Sequence, residues 1–227
     1  RSRERLVACG QEAIRDSGYQ EMTLSSLSTS DYPELVGLCD DLGAFCDQNH
    51  VNLSLPSLRA DNFSMELMQQ LQKGRKAGLT FAPEAGTQRL RDAINKNVTE
   101  EDLTQSLRTA FSGGWNSVKL YFMLGLPTET DEDVLGIAEM ANHALHTWRE
   151  SAVNKNRGVR ITVSTSWFIP KPFTAFQWEP QISREEYERR VCLLRQAITA
   201  KAVTYNWHDG DTSFLEAVLA VMAWRSR

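Results

Sequence analysis

The chain has 227 residues, with 25 Lys+Arg against 29 Asp+Glu for a formal net charge of −4, and 41% apolar and 24% charged residues. A chain of this length buries roughly 70–75% of the surface its unfolded form exposes, enough for a sizeable core, and its mild acidity argues against bulk phosphate-backbone binding, which needs a clustered basic face. No window reaches the ~18 consecutive apolar residues of a membrane span. The opening Arg1-Ser2-Arg3-Glu4-Arg5 leads into an amphipathic pattern rather than a secretory apolar region, so a cytoplasmic protein with no membrane partner is expected. A first residue that is Arg rather than Met implies either that something was removed or that the sequence is an interior piece of a longer polypeptide.

Helix and strand patterns alternate along the chain. Leu6, Cys9, Ala13 and Ile14 have helical spacing, with Gly18 as the stop, and Glu21 to Leu27 reads as a strand. Asp31-Tyr32-Pro33-Glu34 resembles a capping box with an early proline, opening a helix over Leu35 to Cys46. Val51 to Leu55 is a short strand, Ser64 caps a helix bearing Leu67, Met68 and Leu71, and Gly78 to Ala82 is the next strand. Thr87 starts a short helix through Leu90 and Ile94, and Thr99-x-x-Asp102 caps another that ends at Gly113-Gly114. Ser117 to Leu124 is a strongly apolar strand. Thr130-x-x-Asp133 begins a long helix lined by Val134, Ile137, Ala141, Leu145 and Trp148, followed by a polar loop over Ser151 to Gly158. Val159 to Phe168 alternates as a strand, Ser183-x-x-Glu186 caps a helix, and Ala202 to Trp207 is a strand before a last helix with Leu215, Val218, Leu219 and Met222.

Repeated β-α units predict an α/β fold with parallel strands, because a parallel crossover needs a covering helix. No Pro/Ser-rich linker divides the chain, so residues 1–227 read as one domain. Residues 1–180 carry the β/α units and 181–227 form an extension. Pattern alone leaves open a barrel-like arrangement or a doubly wound sheet. The cysteines Cys9, Cys39, Cys46 and Cys192 make neither a C-x-x-C pair nor a zinc module, and Cys39 and Cys46 lie on an apolar stripe. His143 and His146 share a helix without an evident third ligand, which reads as a solvated face.

The informative residues follow the strands. Ser25 to Asp31, Leu55-Pro56-Ser57-Leu58-Arg59, Ala82-Pro83-Glu84-Ala85-Gly86, Gly125-Leu126-Pro127-Thr128-Glu129 and Phe168-Ile169-Pro170-Lys171-Pro172 gather small, polar and proline-rich residues at one end of each strand. In parallel β/α folds ligands bind at that end. Serines can simply cap a following helix, and Glu84 can simply complement a helix dipole. Together, however, they set donors, a carboxylate, a guanidinium and exposed backbone around one mouth, suited to an elongated polar ligand with hydroxyls, an amine and a flat ring.

The segments Gly78 to Arg91, Lys119 to Glu129 and Pro170 to Trp178 resemble signatures of radical S-adenosylmethionine (radical SAM) enzymes, and are most similar to an uncharacterised subfamily that often carries an upstream cobalamin-binding domain, a cousin of the methylthiotransferases. The resemblance implies a partial (β/α)6 TIM-like barrel with the first strand lying upstream of Arg1. It implies a [4Fe–4S] cluster whose C-x-x-x-C-x-x-C ligands also lie upstream, with no metal ligand in this chain. It implies reductive cleavage of SAM to a 5′-deoxyadenosyl radical, an electron donor such as flavodoxin or ferredoxin, and an unread substrate, RNA and protein modification being among the options, with cobalamin as a further cofactor of the subfamily. Carried over by position, Ser26 and Ser28 face the methionine moiety. Ser57, Arg59 and Glu84 face its carboxylate or the ribose hydroxyls. Gly125, Leu126 and Pro127, with Phe168, Ile169 and Pro170, flank adenine, Glu129 braces the glycine turn, and Lys119 points inward to meet a carboxylate or ligand. The chain departs from that family's pattern at Phe173 and Ala175, where His and Pro are usual, and after Ala220. Two other readings stand beside this one: a barrel using Glu84 and Lys119 for acid–base or Schiff-base chemistry on a sugar or phosphorylated substrate, and a non-catalytic scaffold module.

Overall fold

The computed structural model describes residues 1–24, 32–54 and 79–225. Ser26, Ser28, Ser57, Arg59 and the helix expected from Ser64 lie outside these residues. Among the described residues the elements run α1 (Arg3–Ser17), β1 (Glu21–Thr23), α2 (Leu35–Asn49), β2 (Asn52–Ser54), β3 (Leu79–Glu84), α3 (Gln88–Ala93), α4 (Glu100–Ser112), β4 (Ser117–Leu124), α5 (Asp131–Ser151), β5 (Arg160–Trp167), α6 (Arg184–Ala197), β6 (Val203–Trp207) and α7 (Gly210–Arg225). None of these helices is long and apolar enough to cross a membrane. The chain divides into two compact units, one formed by Arg1–Ala82, Glu101–Val118 and Thr147–Val159, the other by Pro83–Glu100, Lys119–His146 and Arg160–Arg227.

In the first unit the Ser2 hydroxyl caps α1 by accepting from Arg5 N, and Gly18, at φ 68°, ends it with its N–H on the Ile14 carbonyl. Strands β1 and β2 pair in parallel, Met22 beside Leu53. The apolar stripes of α1 and α2 then bury Ile14, Met22, Leu38, Leu42, Phe45, Cys46 and Val51 as one cluster. Gly10 permits this approach, since a methyl group there would stand 3.2 Å from both Leu42 Cδ2 and Met22 Sδ. The start of α2 corrects the sequence expectation. Its cap is Glu34, whose side chain makes no capping hydrogen bond. Pro33 sits in the turn ahead of the cap. The helix draws its stability from the buried stripe Leu35, Leu38, Cys39, Leu42, Phe45 and Cys46 instead.

In the second unit β5 and β6 pair in parallel, Ile161 beside Val203 and Ser164 beside Asn206. They complete a sheet of order β3-β4-β5-β6. Phe168 N donates to the Leu124 carbonyl at 2.8 Å, so β4 and β5 finish side by side. Parallel sheets are ordinarily apolar on both faces. This one is not. On β4, Val118, Leu120, Phe122 and Leu124 are buried while Ser117, Lys119, Tyr121 and Met123 are half-buried. Strand β5 repeats the split, with Ile161, Val163, Thr165 and Trp167 on one face and Thr162, Ser164 and Ser166 on the other. A period of two thus separates a helix-covered apolar face from a polar one. The α/β class with parallel strands agrees with the sequence pattern.

Candidate functional site

The end of β3 is built around a non-glycine residue in the left-handed region. Glu84 has φ 70°, a conformation that costs a side-chain-bearing residue about 1–2 kcal/mol. The turn after it is fixed from below by Arg91, 1% exposed, whose guanidinium donates to the carbonyls of Ala85 (3.1 Å), Gly86 (3.3 Å) and Val98 (3.0 Å) and to Gln88 Oε1 (3.1 Å). Glu84's carboxylate, 23% exposed, meets Lys96 Nζ at 3.3 Å. Burial pushes this carboxyl up, and Lys96 offsets part of that rise. A half-desolvated acceptor with one cation on one flank keeps lone pairs for ligand hydroxyls.

The end of β4 turns at Gly125, φ 86°, where a methyl group would fall 2.8 Å from Ile182. Glu129 braces this turn. Its side chain is 1% exposed, accepts the Gly125 N–H at 2.7 Å and pairs with Arg190. Burial drives the Glu129 carboxyl up to about 7 against the opposing pull of the Gly125 N–H and Arg190. Arg190 is held in turn by Glu186 at 2.8 Å, and that half-buried carboxyl is drawn down to about 2 by Arg189 and Arg190.

One small apolar cluster joins three strand ends. Ala85, Leu90, Leu126 and Phe168 are buried together, with Ile94, Met123 and Phe176 packed at the edge. Phe168 meets Phe176 edge-on, with centroids 6.0 Å apart at 83°. Ile169, Pro170 and Pro127 remain half-buried beside it. The structure therefore brings the turn after Glu84, the Gly125–Pro127 turn and the Phe168–Pro170 exit around one apolar floor. Lys119 stands apart from this rim. It lies five residues before the end of β4, about 16 Å along the strand. Its Nζ sits 5.4 Å from the Tyr121 ring centroid.

Sequence reasoning missed Arg91, Lys96, Asp133 and Arg190 as parts of the site. Asp133 is more than a helix cap: it accepts from Thr130 N and Oγ1, both at 2.8 Å, and also from Thr87 and Arg89. Burial raises this carboxyl, but the hydrogen bonds win and hold it below its ordinary range. The Thr130-x-x-Asp133 spacing signalled only the first of these contacts.

The chain's four cysteines all fall among the described residues. Cys39 and Cys46 are buried, which pushes the Cys39 thiol up to about 11 and raises that of Cys46, so both are held as thiols. Cys192 is exposed on α6, and no three His, Cys, Asp or Glu side chains among the described residues gather to hold a metal. A [4Fe–4S] cluster, which needs thiolate ligands, does not fit this chain's own cysteines.

A parallel α/β sheet with covering helices defines the class of β/α domains, whose ligands ordinarily bind at the strand ends. The profile of the radical SAM superfamily matches residues 3–141, and the chain belongs to that enzyme superfamily. It is 31% identical over 216 residues to the uncharacterized protein MJ0966 of Methanocaldococcus jannaschii, covering 95% of this chain and 44% of that protein. The chain thus spans less than half the length of this relative. Among solved structures, it is similar to coproporphyrinogen III oxidase (HemN), a radical SAM enzyme from Escherichia coli, with TM-score 0.58, 13% identity, and 86% of this chain and 46% of that chain covered. It is similar to archaeal Elp3 from Methanocaldococcus infernus, with TM-score 0.55, 11% identity, and 96% and 57% covered. It is also similar to the radical SAM methyltransferase TsrM from Kitasatospora setae, solved with cobalamin and a [4Fe–4S] cluster, with TM-score 0.54, 13% identity, and 73% and 31% covered. At these identities the likeness concerns the fold.

Proposed function

We propose that this chain is the SAM-binding part of a larger radical SAM enzyme. The observation that carries the reading is the half-buried Glu84 carboxylate, held in a left-handed conformation at the edge of an apolar floor formed by Ala85, Leu126 and Phe168. Glu84 accepts the ribose hydroxyls. The Gly125–Pro127 backbone and the Phe168–Pro170 exit enclose adenine, and Glu129 fixes the turn without touching the ligand. Ser26 and Ser28 are assigned to the methionine moiety, and Ser57 and Arg59 to its carboxylate or the ribose hydroxyls, from sequence resemblance alone. When bound beside a [4Fe–4S] cluster, SAM would supply radical chemistry, one-electron reduction cleaving it to methionine and a 5′-deoxyadenosyl radical. The cluster's thiolates come from polypeptide outside this sequence, and an electron donor of the flavodoxin or ferredoxin type feeds it. What this chain contributes is orientation of the nucleoside and exclusion of water. Use of cobalamin, and cytoplasmic location, belong to the same proposal. Membership of the superfamily favours this reading over a scaffold.

Calorimetry of SAM with the anaerobically reconstituted full-length protein tests it. Glu84→Ala is expected to weaken SAM binding about tenfold to a hundredfold, the loss of one or two charge-assisted hydrogen bonds. Unchanged affinity in Glu84→Ala, or no SAM binding by the unaltered protein, would refute the assignment.

A further inference from the structure

The polar face of the sheet carries a second cluster, set back from the strand-end turns. Lys119 is half-buried, and its ammonium rests against the Tyr121 ring. Among the described residues no carboxylate lies within ion-pair distance of it. A cation–π contact stabilises by about 0.5–1 kcal/mol at an exposed site, too little to offset an ammonium drawn partly out of water without a counter-charge. The Tyr121 hydroxyl lies 3.3 Å from His208 Nε2, with the rings edge-on at 6.1 Å.

This meeting spans a strand. Counting back from the Phe168 N to Leu124 carbonyl bond sets Tyr121 beside Ser164 of β5, and Ser164 pairs with Asn206 of β6. Serines at 164 and 166 leave the space over β5 that larger side chains would fill. His208 is exposed, but its backbone is pinned from both sides. Its N–H donates to the Thr165 carbonyl at 3.0 Å, and its carbonyl accepts from the Tyr187 hydroxyl at 2.8 Å. Tyr187 is 1% exposed and stacked on Trp167, with centroids 4.7 Å apart. The neighbouring carboxylate, Asp209, is engaged by Thr212 N and Oγ1, both at 2.9 Å. The carboxylates of this unit's strand ends are also engaged, Glu84 by Lys96 and Glu129 by Arg190.

We infer that Lys119, Tyr121 and His208 form a subsite for an anionic group, a carboxylate or a phosphate, on the substrate of this protein. An ammonium, with the one proton that the Tyr121–His208 contact leaves free on the phenol or the imidazole, supplies donors and positive charge with no acidic partner among the described residues, and a ligand group rich in acceptors completes them. A neutral ligand would leave the ammonium uncompensated. The inference rests on the reading that the strand-end turns hold SAM, since the substrate then lies on the adjoining polar face.

The test uses full-length protein with isotope-labelled histidine rings, the His208 resonance being assigned with His208→Gln. Sodium phosphate and sodium acetate are titrated separately, against sodium chloride at matched ionic strength, with SAM absent and then saturating. One anion is expected to shift the His208 resonance saturably in both conditions, and the tighter of the two identifies phosphate or carboxylate. Lys119→Met should weaken that binding about tenfold, and Lys119→Arg should keep most of it. Calorimetry of SAM in the same samples checks that each variant is folded. The absence of a saturable shift overturns the subsite, as does equal affinity in Lys119→Met. A shift abolished by SAM also overturns it, because the anion is then SAM's own carboxylate. Failure of SAM to bind sinks the SAM reading instead and is seen in the calorimetry alone.

Discussion

The side chains of Leu42 and Glu129 are both shut away from water, at 0% and 1% exposure, and are kept there by opposite means. Leu42 belongs to the α1/α2 cluster, where hydrocarbon packs on hydrocarbon and a small glycine lets the two helices close. Burial there is itself the stabilising term. Glu129 belongs to the turns at the strand ends, where a carboxylate is buried at a cost and then held by a backbone N–H and a guanidinium. Such pairs seldom improve on an apolar substitute of the same shape. The turn after β4 keeps one because it needs the backbone of Gly125 held in place, which an apolar side chain cannot do. The first region shows how the chain stays folded; the second shows where folding energy is spent on position.

Removing one partner of the buried pair is the harshest way to break this contrast. Arg190→Met strands Glu129 and is expected to lower stability by about 3–5 kcal/mol in urea unfolding, with SAM binding weakened because the Gly125 turn loosens. A loss below about 1 kcal/mol would mean that Glu129 needs no counter-charge. Next in size, Leu42→Ala should cost about 3 kcal/mol through lost burial and a residual cavity, while leaving SAM affinity per folded molecule unchanged. Weaker SAM binding in that variant would erase the distinction between the two regions.

The last effect is one of pH. Glu129 titrates near 7 in the folded protein against an ordinary value of 4.5. The native state therefore binds this proton more tightly than the unfolded chain. Its contribution to stability is complete below about pH 4.5 and is lost as pH rises through about 7. Glu129→Gln should reduce the pH dependence of the urea midpoint between those limits, the raised Glu84 carboxyl leaving the remainder. Glu186, held near 2, changes stability only at lower pH and does not mask the effect.

Much of this architecture is legible in the sequence because local rules agree with the fold. Strand β4 falls at Ser117–Leu124 as expected, and β5 and β6 fall within a residue of expectation, β4 and β5 alternating with period two. Thr87 and Ser183 announce α3 and α6 by accepting from Leu90 N and Glu186 N. The start of α2 misleads because Asp-x-Pro-Glu reads as a capping pattern, whereas the helix is capped at Glu34 without a side-chain hydrogen bond and Asp31 lies outside the described residues. In the site, Glu84, Gly125 and Phe168 are recognisable from where they fall relative to strands. Their partners are not. Arg190 lies 61 residues beyond Glu129, and its i,i+4 spacing from Glu186 reads as an ordinary surface pair. Arg91 looks like a solvated helix residue until the carbonyls of Ala85, Gly86 and Val98 converge on it.

Asp133 carries a consequence of its own. Its carboxylate receives Thr87 and Arg89 from the exit of β3 and Thr130 from the start of α5, while Gly86 and Gly136 let the two backbones touch. Two crossover connections far apart in the chain are thereby welded into a single lip. Neither can drift in evolution, or yield to a guest, without dragging the other along.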